Sequence, residues 1–196
     1  MTQTLKEIAE LKPDLVVNTI NGDSNIAFFK GMNALNKVKV LSYSIGEPEV
    51  RAIGIGLVEG HYAAWNYFQS IDSDENRRFI DAFKLEFGAD RVVNDPMEAT
   101  YIGVKLWAQA VRSAGTFEPL RIRGTLANQS LNAPHGVVSV EAETQHLWKT
   151  VRIGQVRGDG QFEVVWSSES PIRPSPFPTY HKKQEWLKRV RELTLQ

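Results

Sequence analysis

The chain of 196 residues contains no cysteine, which excludes disulfides, thiolate catalysis and cysteine-ligated metal. It also lacks an excess of charge: 23 basic and 23 acidic residues balance to zero, with no basic block. Nucleic acid is a poor partner on those terms, because duplex binding needs concentrated Lys and Arg to displace counterions. No apolar run approaches the roughly 20 residues of a membrane span. The start, Met1-Thr-Gln-Thr-Leu-Lys-Glu-Ile-Ala-Glu10, carries an amphipathic helix pattern and neither the apolar core nor the cleavage site of a secretory signal. The four histidines, His61, His135, His146 and His181, are scattered without i, i+4 spacing, so no metal is expected. No Gly-x-Ser-x-Gly elbow and no phosphate-binding loop occur. Asn128-Gln-Ser130 fits a glycosylation acceptor by chance. Asp72-Ser-Asp-Glu-Asn76 starts like a calcium loop, but Arg77 stands where Gly is needed and Phe83 where the closing Glu belongs, so a helix cap is expected there. No catalytic pair of carboxylates stands out. The chain reads as a binding module, not an enzyme, with no cofactor expected.

What is present is an α/β pattern. A helix over residues 4–11 ends at Pro13, and the β-branched run 14–20 reads as a buried parallel strand. The turn Asn21-Gly22-Asp23-Ser24 then opens a helix over about 25–36 carrying Ile26, Phe28, Phe29, Met32 and Leu35. A second strand, 38–43, leads to a short helix begun by Pro48. This succession is the signature of a doubly wound parallel sheet, whose ligands sit at the carboxyl ends of its strands. The Asn21 to Ser24 turn offers helix N-terminal N–H groups, amide, hydroxyl and carboxylate to a ligand. Alternatively, Asp23 or Ser24 serves only as an N-cap.

Residues 61–68 are aromatic and extended. Ser73 starts a helix with Phe79, Phe83 and Phe87 at i, i+4, i+8, closed by Gly88. Asp95-Pro96-Met97-Glu98 reads as N-cap, N1 and N3 of a helix reaching Gly115. Strands are expected at 137–140, 148–156 and 162–166, the last two joined by a Gly158-Asp-Gly160 hairpin. Pro171, Pro174, Pro176 and Pro178 impose an extended segment, and 183–195 reads as a basic amphipathic helix.

Four blocks carry a resemblance: Asn18-Thr-Ile-Asn-Gly-Asp-Ser-Asn25, Gly60-His-Tyr-Ala-Ala-Trp-Asn-Tyr-Phe-Gln-Ser-Ile-Asp72, Asn94-Asp-Pro-Met-Glu-Ala-Thr-Tyr-Ile-Gly103 and Gln145-His-Leu-Trp-Lys-Thr-Val-Arg-Ile-Gly154. Together they resemble the urea-type substrate-binding proteins of ABC transporters, within the type I periplasmic-binding-protein superfamily that also holds branched-chain amino acid binders. The ending Phe162 to Phe177 is also similar to the cytoplasmic short-amide sensors of bacterial amidase operons. Residues 181–196 match least.

The resemblance implies a partial type I periplasmic-binding-protein fold, since members have two α/β lobes closing on a ligand. Residues 1–60 would belong to the second lobe and 61–115 to a crossover and first-lobe helices. Residues 116–180 would return to the second lobe, and 181–196 form a terminal helix. It implies a neutral ligand, urea or a short amide, and permease subunits as partners. The ligand would meet Asn21, Gly22, Asp23 and Ser24, then Ser42, Tyr43 and Ser44 at the end of the next strand. Met97 and Glu98 would face the cleft, unless Glu98 merely completes a capping box. Tyr62, Trp65 and Tyr67 would be crossover and core residues first and ligand contacts second. Location would be periplasmic by resemblance, or cytoplasmic if the chain is complete as given. A cytoplasmic amide-sensing regulator and a functionless fragment are the alternatives.

Overall fold

The computed structural model describes residues 2–35, 38–127 and 129–194. Residue 36, at the expected end of the second helix, Asn128 and Leu195 lie outside them. The chain opens with α1 (Thr2–Leu11), β1 (Leu15–Asn18), α2 (Ser24–Met32), a 3-10 turn (Asn33–Leu35), β2 (Lys39–Ser42), α3 (Glu47–Ile53), α4 (Ile55–Val58) and β3 (Tyr62–Trp65). β1, β2 and β3 run parallel. After a long excursion, β7 (Arg152–Val156) pairs antiparallel with β3 and β8 (Phe162–Ser167) antiparallel with β7, giving one mixed sheet of order β1-β2-β3-β7-β8. The doubly wound pattern therefore accounts for three of five strands, and the Gly158 to Gly160 hairpin joins the other two.

Alternation decides the layers. Even positions of β1 and β2 (Val16, Asn18, Val40, Ser42) turn toward α1 to α4, where Ile8, Phe28, Phe29, Met32, Val50, Ile53 and Val58 close the main core with Phe68 and Phe162. The opposite face stays open: Leu15 is 45%, Val17 58% and Trp166 50% exposed. Strand odd positions are as apolar as even ones, which a sheet needs only where both faces are covered.

The excursion forms a second body. α5 (Asp74–Phe87) is capped by Ser73 Oγ, which accepts from Asn76 N at 3.1 Å. α6 (Asp95–Ala114) packs against it through Phe79 and Tyr101, whose rings are 4.6 Å apart. α7 (Pro119–Leu126), β4 (Ser130–Ala133), β5 (Gly136–Val140) and β6 (Leu147–Trp148) follow, the strands forming an antiparallel sheet of their own. This sheet rests on α6 through Ile102, Leu106, Ala133 and Val138. Neither helix flanks the β1–β2 layer. The return expected near residue 116 comes only at Arg152, and the expected strand 148–156 is split between the two sheets. Residues 149–151 are the crossing point: Asn66 Nδ2 donates to Thr150 O (3.0 Å), holding them to the outgoing segment.

α8 (Lys183–Thr194) ends the described chain with no buried residue. The proline segment before it is extended, with a single antiparallel bridge between Ile172 and Lys149.

Candidate functional site

At the carboxyl ends of the parallel strands lies an open cavity of about 360 Å³. Its strand side is formed by Thr19 and Asn21 after β1 and by Tyr43 and Ser44 after β2. Glu49 of α3, Trp65 of β3, Asn94 and Pro96 complete the wall. The second group comes from both bodies, so the cavity sits where they meet.

A buried amide network shapes the strand side. Asn18 Nδ2 donates to Asn25 Oδ1 (2.9 Å) and Ser42 Oγ (3.1 Å), while Asn18 Oδ1 accepts from Ile20 N (2.9 Å). Asn25 Nδ2 then holds Ile20 O (2.9 Å) and Gly22 O (3.2 Å). These bonds fix the turn in which Gly22 adopts φ +72°, a left-handed conformation that suits glycine. Ser44 Oγ donates to Ile20 O, tying the second loop to the first.

On the other wall, Glu49 Oε2 accepts from Gly46 N (2.9 Å) and Asn94 Nδ2 (3.5 Å), and among the described residues Oε1 has no hydrogen-bond partner. A Cβ at residue 46 would lie 2.9 Å from Asn94 Cβ, so the close approach of α3 to α6 requires glycine. Trp65 Nε1 donates to Ile45 O (2.8 Å), setting its ring against the cavity.

Beneath the cavity, carboxylates clamp the crossover. Asp95 Oδ1 accepts from Asn66 N (2.9 Å) and Tyr67 N (2.8 Å), and Glu47 Oε1 from Gln69 N (2.6 Å). Glu47 is fully buried, its Oε2 has no hydrogen-bond partner among the described residues, and burial pushes its pKa up to about 7, with Glu49 and Asp95 adding to the rise. Burial likewise raises the Tyr67 phenol well above its ordinary value while its hydroxyl donates to Asn76 Oδ1 (2.8 Å).

The periplasmic binding protein domain model matches residues 1–183. The chain belongs to the periplasmic binding protein family. Solved structures of this family share its fold at low identity. An amino acid ABC transporter substrate-binding protein from Pseudomonas fluorescens superposes with a TM-score of 0.76 at 20% identity, covering 89% of this chain and 48% of that one. An ABC transporter solute-binding protein from Rhodopseudomonas palustris, in complex with 4-hydroxybenzoate, gives 0.77 at 22%, covering 91% and 51%. A leucine-binding protein from Thermotoga maritima gives 0.70 at 18%, covering 85% and 47%. A limonene hydroxylase from Geobacillus stearothermophilus is 38% identical over 127 residues, 65% of this chain and 23% of that protein. This periplasmic binding protein chain spans about half the length of the solved structures.

Of the residues expected at the ligand, the structure gathers Asn21, Tyr43 and Ser44 around the cavity. Gly22 shapes the turn. Asp23 and Ser24 are exposed beside the turn and do not line the cavity. Asp23 takes the N-cap position of α2 yet makes no capping bond with its side chain; the buried Asn25 organises the turn instead. Ser42 is 1% exposed and accepts from Asn18, so it belongs to the scaffold. Met97 packs beside Phe79 and Val93, away from the cavity.

Glu98 neither faces the cleft nor caps the helix. Asn94 is the N-cap, accepting from Met97 N at 3.3 Å, because Asp95 is committed to the crossover. One turn further in, Glu98 is fully buried with its Oε1 2.7 Å from His135 Nδ1 and Lys149 Nζ 4.0 Å from Oε2. Thr19, Glu49, Asn94 and Pro96 line the cavity without having been expected at the ligand, and Trp65, expected there only in second place, lines it too. The pairing of Asn94 with an Asp95 that could equally cap was the available signal.

Two histidines have internal tasks: His135 pairs with Glu98, and His61 Nδ1 accepts from Val40 N at 3.1 Å. Burial and the neighbouring Lys39 lower the pKa of His61. Among the described residues no group of three or more His, Asp or Glu side chains could hold a metal ion, and no helix is long and apolar enough to cross a membrane.

Proposed function

We propose that this chain is the ligand-binding half of a non-catalytic solute-binding protein that feeds urea or a short amide to an ABC importer in the periplasm, with permease subunits as its protein partners. The cavity lining carries the reading. It combines a carboxylate, two amides, hydroxyls and two aromatic rings, and no cation. Urea and small amides present N–H donors and one carbonyl, which Glu49, Asn21, Asn94 and Ser44 can match. A compact polar ligand has little apolar area to bury, so its affinity must come from matched hydrogen bonds in a closed cleft. Closure would bring a facing lobe over the strand ends while the clamped crossover acts as pivot. A benzoate carboxylate placed here would meet Glu49 and nothing positive. An amino acid's ammonium would suit Glu49, so leucine belongs in the test.

Calorimetric titration of the longest natural chain that carries this sequence, with urea, acetamide, leucine and 4-hydroxybenzoate, decides between these ligands. Binding of urea or acetamide, weakened by about 1–3 kcal/mol in Glu49→Gln because a ligand N–H loses its acceptor, supports the proposal. Tight leucine or 4-hydroxybenzoate binding with no amide response would refute it.

A further inference from the structure

α8 lies beyond the family match, which ends at residue 183, and contributes nothing to any core. It is fixed to the preceding segment: Trp186 Nε1 donates to Pro178 O (2.9 Å), the Trp186 ring is 5.2 Å from Tyr180 and 5.1 Å from His181, and Lys183 Nζ lies 5.5 Å from the Phe177 ring. Yet the helix is strongly patterned. At about 100° per residue, Leu193, Trp186, Val190 and Leu187 fall within roughly one third of the circumference. Leu187 is 40%, Val190 53% and Leu193 73% exposed, so among the described residues nothing covers this stripe.

Charge is sorted around the stripe. Arg189 and Arg191 lie at its two margins. Glu185 and Glu192 lie on the far side, within 3.3 Å of His181 and 3.8 Å of Lys188 respectively. Lys182 and Lys183 stand at the helix start, so residues 182–194 carry five cations against two carboxylates, although the whole chain is neutral.

We propose that α8 is an interfacial helix that lies on an anionic lipid bilayer, its Leu/Val/Trp stripe in the headgroup boundary. An apolar stripe with tryptophan, flanked by arginines whose stems can lie along it and whose guanidiniums reach phosphate, is the pattern of helices that rest in the plane of a membrane. The carboxylates on the far side face water, where anionic lipid does not repel them. Cations near an anionic surface strengthen the attraction and make it salt-dependent. A protein partner would need an acidic groove, whereas the bilayer needs only what the helix already displays.

Vesicle co-sedimentation of the whole chain tests this, using phosphatidylcholine vesicles with and without phosphatidylglycerol. Binding is expected with phosphatidylglycerol, to weaken as salt rises, and to fall roughly a hundredfold or more for Arg189→Glu/Arg191→Glu. Val190→Asp/Leu193→Asp and a chain ending at Lys182 should both lose it. Because α8 contacts no core, these variants should keep the parent's thermal unfolding, which confirms that lost binding is not lost folding. Three results would overturn the proposal. One is no vesicle binding at low salt. The second is unchanged binding by the shortened chain, which would assign it to the open sheet face. The third is a concentration-dependent dimer in sedimentation velocity that Val190→Asp/Leu193→Asp abolishes, which would make a second copy the partner of the stripe.

Discussion

Glu47 gives the sharpest stability test. Its carboxyl is fully buried at the start of α3, one oxygen accepting from Gln69 N at 2.6 Å and the other without a partner among the described residues. Its pKa rises from 4.5 to about 7, with burial the main cause. A raised carboxylate pKa means that between these values the folded protein holds a proton that the unfolded chain has released. Stability therefore falls as pH rises through that window, and below it the term vanishes. At about 1.4 kcal/mol per unit, the loss between pH 4.5 and pH 8 is about 3 kcal/mol. Glu47→Gln keeps an acceptor for Gln69 N but places an amide NH2 where no acceptor stands, costing about 1–3 kcal/mol at every pH. Relative to the parent, the variant should thus gain about 2.5 kcal/mol between pH 5 and pH 8, being the less stable protein near pH 5 and as stable as the parent or more stable at pH 8. Guanidinium chloride unfolding of both proteins at intervals from pH 5 to pH 8 measures this. Parallel stability curves for parent and variant would refute the reasoning.

Other perturbations have equally definite outcomes. Gly154→Ala places a Cβ 2.8 Å from Phe68 Cζ and 3.1 Å from Phe162 Cβ, and should lower stability by about 1–3 kcal/mol through overpacking, read as a lower melting temperature. His135→Ala strips the buried Glu98 of its 2.7 Å partner and should cost about 3–5 kcal/mol in chemical unfolding. Asn25→Leu removes the acceptor for Asn18 and the donor to Ile20 O and Gly22 O. It should cost about 1–3 kcal/mol and speed amide exchange in the turn 19–24.

Much of the fold was legible because local signals agreed with tertiary need. The run Leu15 to Asn18, the Phe79 and Phe83 spacing with Ser73 as cap, and the Pro96 start of α6 each carry propensity, periodicity and capping in one place. Failures arose where long-range partners decide. Glu98 sits in the first turn of a helix, where a carboxylate normally serves the dipole, and its burial follows from His135, 37 residues away. Asn94 and Asp95 are equally good caps in sequence, and only the Asn66 and Tyr67 N–H groups select between them. Trp148 to Val156 reads as one strand because nothing in its own pattern shows that it changes sheets. For the candidate site, strand-end logic points to the turn that holds Asn21, and the family resemblance adds Tyr43 and Ser44; all three line the cavity. Glu49 was hidden as an ordinary acid of a helix start, and Asp23 was overvalued because the network that shapes its turn runs through Asn18 and Asn25.

The central claim, that the cavity between the strand ends and α6 receives an amide, is tested most directly by nuclear magnetic resonance on the nitrogen-labelled chain titrated with acetamide. Its indole signal makes Trp65 a reporter, because Nε1–H is bonded to Ile45 O. The account predicts saturable shifts at the Trp65 indole and at the amides of Asn21, Tyr43, Ser44 and Glu49, reduced in Glu49→Gln and not reproduced by 4-hydroxybenzoate. Shifts confined to other parts of the chain, or a response to 4-hydroxybenzoate alone, would contradict it.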